Sequence, residues 1–216
     1  MFVCFEGMDG AGKSTQARML YQRLKQDGVA AELVSDPGTT RIGAAIRQLV
    51  LESSAPITPA AQMLLFSAAR AELASYITER LQVGVVVICD RWLLSTLVYQ
   101  GEINKIPIDI IETIFEASAN VCPDICFLLD ISPDAAKARI GAPRDRYESS
   151  GAQTQARMRE AYQRHATQRP HAGVVHRLDA SGDLESMHKD IYGLFCDLFC
   201  RTGVLPGAVA GTVCHT

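Results

Sequence analysis

The sequence predicts an α/β fold: one five-stranded parallel sheet sandwiched between helices. Three observations predict it. Strand-like apolar runs alternate with helical patterns along the chain. The run 83–90 is continuously apolar before its final Asp90, as a strand covered on both faces must be. A turn-rich loop, Ser35-Asp36-Pro37-Gly38-Thr39-Thr40, follows the second strand run, at the carboxyl end where such sheets place ligands. With 216 residues the chain suits one domain and is short for two. We expect a single domain over 1–200 and a C-terminal extension over 201–216, which lacks regular periodicity.

The elements follow in order. Residues 2–5 form the first strand, and a helix over 13–26 has Leu20 and Leu24 on one face and Gly28 where a C-terminal cap belongs. A second strand covers 31–34. Ile42, Ala45, Ile46, Leu49 and Val50 make the next helix. Thr58 caps a long one that starts with Pro59, runs toward Leu81 and sets Phe66 and Arg70 one turn apart. The strand 83–90 delivers Asp90 and Arg91 to the same edge as the first loop. Helices over 93–100, with Ser95 and Tyr99 on one face, and over 108–119 precede a fourth strand at 125–130. Ser132-Pro133-Asp134 starts a short helix that breaks near Gly141 and Pro143. Around those breakers Lys137, Arg139, Arg144 and Arg146 give the segment 137–148 the character of a mobile cationic lid. A helix at 154–165, a fifth strand at 174–178 and a striped helix from Leu184 to Leu198 complete the pattern.

Composition narrows the function. A net charge of −3 argues against a nucleic-acid partner, because there is no basic surplus to release counterions. Of seven cysteines, Cys4, Cys89 and Cys126 fall within apolar strand runs, and no Cys/His set has structural-zinc spacing. They read as buried thiols of a reducing compartment. No run is long enough to span a membrane, and the first strand leaves no room ahead of it for a signal peptide. The expected location is cytoplasmic.

The chemistry starts at Gly7-Met8-Asp9-Gly10-Ala11-Gly12-Lys13-Ser14-Thr15. The spacing Gly7-x-x-x-x-Gly12-Lys13-Ser14 between strand and helix is a P-loop. Its backbone N–H groups turn toward phosphate oxygens, Lys13 reaches the β/γ-phosphates and Ser14 offers its hydroxyl to Mg²⁺. The expected fold is therefore of the P-loop NTPase type. Arg91, beside Asp90 at a strand exit, is placed to grip an acceptor phosphate while the carboxylate orients it or a metal-bound water. Phe66 and Arg70 suit a nucleobase, through an aromatic face and a donor fork, although periodicity alone favours Phe66 as core.

These segments resemble the thymidylate kinase family. The likeness rests on Phe5-Glu6-Gly7-x-Asp9-Gly10-Ala11-Gly12-Lys13-Ser14-Thr15, Asp36-Pro37-Gly38-x-Thr40, Phe66-x-x-x-Arg70 and Asp90-Arg91. It continues through Ser95-x-x-x-Tyr99-Gln100-Gly101, Pro123-Asp124, Leu129-Asp130, Asp145-Arg146-x-Glu148 and Leu178-Asp179-Ala180. The resemblance implies transfer of the γ-phosphoryl of ATP to dTMP with Mg²⁺, by a homodimer. It implies that Phe66 stacks on thymine, Arg70 bonds its O4 edge, Ser95 or Gln100 lies near the base, and Tyr99 crowds the 2′ position. Asp9 would meet the 3′-hydroxyl, Arg91 the dTMP phosphate, and Glu148 the sugar or the metal. Metal contacts would come from Ser14, with Asp9, Asp90 and Glu148, directly or through water. Gly10 stands where some members carry a P-loop arginine, so Arg139, with Arg144 or Arg146, is expected to reach the transferring phosphate. Three features depart from the family pattern. Ser35-Asp36 replaces Arg-Glu, making Arg41 and Arg47 candidates for the lost charge; Trp92 replaces a tyrosine; and the lid is poorer in arginine.

Overall fold

The computed structural model of the chain describes residues 1–52, 56–140, 151–168 and 170–201. Its elements are β1 (Phe2–Glu6), α1 (Lys13–Gln26), β2 (Ala31–Ser35), α2 (Arg41–Arg47) and α3 (Pro59–Gln82). There follow β3 (Val86–Asp90), α4 (Leu93–Thr96), α5 (Ile108–Ser118), β4 (Ile125–Asp130), α6 (Pro133–Ile140), α7 (Ala152–Gln168), β5 (Val174–Asp179) and α8 (Leu184–Arg201). Wider π-helical turns continue α2 over Gln48–Glu52 and α4 over Leu97–Ile103.

All strand pairs are parallel, in the order β2-β3-β1-β4-β5. The reason lies in β1, which is buried throughout and alternates its side chains between two cores. Phe2 and Cys4 join Leu73, Ile77, Trp92, Leu97, Phe115 and Tyr162 from α3, α4 with its continuation, α5 and α7. Val3 and Phe5 join Leu20, Leu24, Ile191 and Phe195 from α1 and α8. Cys4 stands in register between Cys89 and Cys126, so the three thiols lie side by side in the first core. Burial pushes the Cys4 and Cys89 thiols well up. The described cysteines are free.

The third strand starts later than its apolar run suggests. Val83 caps α3 and is 69% exposed, and Gly84 turns at φ +78°, so pairing begins at Val86. Thr58 caps α3 as expected, accepting from Ala61 N at 3.3 Å. The anticipated lid begins inside α6; residues 141–148, with Arg144, Arg146 and Glu148, lie outside the described residues, as does 202–216.

Candidate active site

The carboxyl ends of β1, β2 and β3 open into one cleft of about 710 Å³. Its lining joins the β1–α1 loop and the first turn of α1 to Asp36, Phe66, Arg70, Asp90, Arg91, Ser95, Tyr99, Gln100 and Arg139. Sequence-predicted residues from the β1–α1 loop, α1, α3, β3, α4 with its continuation, and α6 are therefore brought to one place.

The loop after β1 is shaped by crowding against its neighbours. A Cβ at Gly7 would lie 2.4 Å from Leu129 O, and one at Gly10 would lie 2.5 Å from Ala136 O, with both residues at positive φ. Met8 and Ala11 turn their side chains into the two cores, while Asp9, Gly10, Gly12, Lys13, Ser14 and Thr15 line the cleft. Lys13 Nζ donates to Met8 O at 2.8 Å and lies 3.8 Å from Asp9 Oδ1. Burial, then the Arg91 charge, lowers Lys13 to about 8, against the pull of Asp9, Asp90 and Glu6.

Arg91 sits at φ 73°, a conformation that costs a non-glycine residue about 1–3 kcal/mol and persists where the surroundings enforce it. Its N–H donates to Phe5 O at 2.9 Å. Its Nη2 pairs with Asp9 Oδ1, and its Nη1 donates to Gly7 O, Ser95 Oγ and Tyr162 Oη at 3.2, 3.1 and 3.1 Å. The guanidinium lies 5.4 Å from the centre of the Tyr99 ring. The other oxygen of Asp9 accepts from Tyr99 Oη at 2.8 Å. Burial alone would raise Asp9, but Arg91, Lys13 and Tyr99 together hold it down at about 2.

Beside this cluster lies a fully buried carboxylate, Glu6. Its Oε1 accepts from Trp92 N and Ser95 N at 2.8 and 3.1 Å, and its Oε2 from Ser95 Oγ at 2.6 Å. It thus supplies the cap that α4 lacks from its own Ncap residue, Trp92. Burial pushes Glu6 up, against Ser95, the Arg91 charge and the two backbone donors.

Phe66 packs with Ile46, Val50 and Ala69, as a core residue does, and also lines the cleft wall. Arg70 is buried: its Nε donates to Asp36 Oδ2 at 2.7 Å and its Nη2 to Thr96 Oγ1 at 2.5 Å, with the guanidinium over the Trp92 ring. Gln100 is buried, lines the cleft, and leaves its Nε2 without a hydrogen-bond partner among the described residues. Trp92 is absorbed by packing, edge-on to Phe2 and Phe115, with Nε1 donating to Val121 O at 2.9 Å. Arg47 donates to Pro37 O at 3.2 Å and lines the cleft; Arg41 is exposed and outside its lining.

For a metal, Ser14 Oγ donates to Asp90 Oδ2, while Asp90 Oδ1 is buried with no hydrogen-bond partner among the described residues. A hydroxyl and a carboxylate with a spare oxygen are hard donors of the kind Mg²⁺ takes, with water completing its shell. Both oxygens of Asp9 are already engaged, by Arg91 and Tyr99. Glu148 lies outside the described residues. No cluster of three or more His, Cys, Asp or Glu suited to a metal occurs among the described residues.

Glu6 and Tyr162 were not foreseen as site residues. A charge ending an apolar strand signals a buried carboxylate that needs partners. Tyr162 gave no signal beyond its place on an apolar helix stripe.

The same cleft occurs in a chain with close relatives of known family. The family model described as thymidylate kinase matches residues 5–191. A thymidylate kinase from Bifidobacterium longum subsp. infantis is 37% identical, covering 97% of this chain and 96% of that protein. One from Halothermothrix orenii is 36% identical over 89% of this chain and 94% of its own. The crystal structure of thymidylate kinase from Ehrlichia chaffeensis superposes with a TM-score of 0.73 at 27% identity, covering 90% of this chain and 98% of that one. The chain belongs to the thymidylate kinase family, enzymes that phosphorylate dTMP with ATP on the route to dTTP.

Proposed function

We propose that the cleft binds ATP at the Lys13 loop and dTMP along Phe66, Arg70, Tyr99 and Gln100, with the acceptor phosphate held by Arg91 and Arg47. One observation carries this reading: Lys13 and Arg91 both converge on the Asp9 carboxylate in a single cleft. A phosphoryl group passing between their ligands meets positive charge throughout its path, which is the main demand of this chemistry. Arg139, in the last turn of α6 on the cleft wall, adds to that charge. A phosphate oxygen is nucleophilic at neutral pH, so no general base is assigned. Ser14 and Asp90 would hold Mg²⁺, which when bound offsets charge on the donor phosphates. Tyr99 Oη, fixed on Asp9, walls the sugar site, and Asp9 accepts from the 3′-hydroxyl.

A homodimer fits the exposed Ile42, Leu49 and Leu64 of α2, its continuation and α3. No helix among the described residues is long and apolar enough to cross a membrane, and the free buried thiols suit the cytoplasm. The test is a panel of dTMP, dUMP, dGMP, CMP and thymidine with ATP and Mg²⁺, reading products by anion-exchange chromatography. The reading expects dTDP and ADP from dTMP. Nucleotide binding without dTDP would instead mark a chain that keeps the fold and has lost turnover, and phosphorylation of thymidine in preference would mark a nucleoside kinase.

A further inference from the structure

Three buried groups that the reaction above does not use converge behind Arg91: Glu6, Ser95 and Tyr162. Their contacts have a direction. Glu6, as a carboxylate, can only accept, and its Oε2 lies 2.6 Å from Ser95 Oγ, the shortest contact Ser95 makes. The single Ser95 proton is therefore committed to Glu6. In the 3.0 Å contact between Ser95 Oγ and Tyr162 Oη, Tyr162 must then be the donor. Both hydroxyl oxygens are left with lone pairs toward Arg91 Nη1, each at 3.1 Å. The polarity runs from Tyr162 on α7 through Ser95 on α4 to Glu6 on β1, and Glu6 sets it.

Resting on the dTMP kinase reading, we propose that Glu6 is a positioning residue for Arg91, acting through Ser95 and Tyr162. It orients two hydroxyls as acceptors that pin the Nη1 edge of the guanidinium, so that the Nη2 edge stays turned to Asp9 and the acceptor phosphate. The same carboxylate caps α4, and so fixes the peptide of Trp92 directly after the strained Arg91. One buried charge thereby sets both the backbone and the side chain of the phosphate-gripping residue. Tyr162 extends this support to α7, the helix that follows residues 141–150 in the chain.

The test is Glu6→Gln in the full chain. Its amide oxygen can keep the bonds from Trp92 N and Ser95 N, whereas its NH₂ stands where Oε2 accepted and donates to Ser95 Oγ. The Ser95 proton then turns toward Tyr162 or Arg91, and the pinning is lost. Losing charge-assisted bonds worth about 1.5–3 kcal/mol corresponds to a KM for dTMP raised roughly ten- to hundred-fold. The KM for ATP should stay within about twofold, because Lys13 and the loop N–H groups are untouched. Tyr162→Phe should raise the dTMP KM less, by about three- to tenfold. The double variant should be little worse than Glu6→Gln alone, since both act through one chain of bonds. Equal effects on dTMP and ATP, no effect on either, or independent addition of the two would overturn the proposal. Should Glu6→Gln not fold by circular dichroism, Ser95→Ala with Tyr162→Phe carries the same cycle and the same outcomes. A wild-type chain that makes no dTDP refutes the underlying reading; one that does, with silent variants, refutes only this inference.

Discussion

At the scale of single residues, Lys13 carries the clearest pH signature. Its folded pKa of about 8 lies below the ordinary lysine value because burial and Arg91 outweigh its acidic neighbours. In the free protein this is a cost, fully present below about pH 8 and gone once the unfolded lysine also loses its proton near 10.4. Bound polyphosphate reverses the balance and pulls the pKa up. ATP binding near pH 8 should therefore take up a proton, detected by calorimetry in two buffers of different ionisation enthalpy. Identical heats in both would contradict this. Lys13→Ala should abolish dTDP formation, and measurable turnover in that variant would remove Lys13 from the chemistry. Asp9 has the opposite sign. Held at about 2, it contributes stability that is present above pH ~3.9 and lost as pH falls through 2, on the order of 2 kcal/mol at neutral pH. Urea melts of Asp9→Asn and the parent chain should differ at pH 7 and draw together toward pH 2.

At the scale of elements, the loop after β1 is held to α6 by close backbone approach. Gly10 and Gly84 share nearly the same φ, +80° and +78°, but a Cβ at Gly10 meets Ala136 O at 2.5 Å whereas one at Gly84 meets nothing within 4 Å. Alanine at Gly84 should cost only the backbone strain, about 1 kcal/mol. Alanine at Gly10 adds overpacking of roughly 1–3 kcal/mol and displaces the phosphate cradle. Thermal melts should rank Gly10→Ala well below Gly84→Ala, with the ATP KM raised only in the former. Equal melting temperatures would mean that α6 gives way freely.

The same comparison explains what was legible in the sequence. The P-loop could be read because its demands fall within a few consecutive residues, and Phe66 with Arg70 because a helix turn is a local ruler. Even there, the crowding against Leu129 and Ala136 was invisible, since those contacts cross the sheet. The partner of Asp36 could not be read either, because Arg70 lies 34 positions away on another element. Tyr162 reaches Arg91 across 71 positions, a separation that no local periodicity spans. Val83 and Gly84 misled because an apolar composition cannot tell a helix end from a strand start.

At the scale of the whole molecule, the parallel sheet does one thing for function: it stacks the exits of β1, β2 and β3 side by side, so that the proposed donor and acceptor sites share one opening. The buried Arg70–Asp36 pair ties α3 to the exit of β2, with side chains only 6% and 1% exposed. Asp36→Asn leaves a buried guanidinium without its anion and should destabilise the fold by about 3–5 kcal/mol. The dTMP KM should rise with it; a melting temperature within a degree of the parent would show that the pair is not structural.

The binding mode proposed above has two nucleotides in one cleft, their phosphates meeting between Lys13 and Arg91. It is tested most directly by calorimetric binding of one molecule that joins adenosine and thymidine through a chain of phosphates. This molecule should bind at least about a hundredfold more tightly than ATP or dTMP alone, as linked ligands do when both sites are engaged, and Lys13→Ala and Arg91→Ala should each erase the advantage. Affinity no better than that of ATP alone, or an advantage that survives Arg91→Ala, would contradict it.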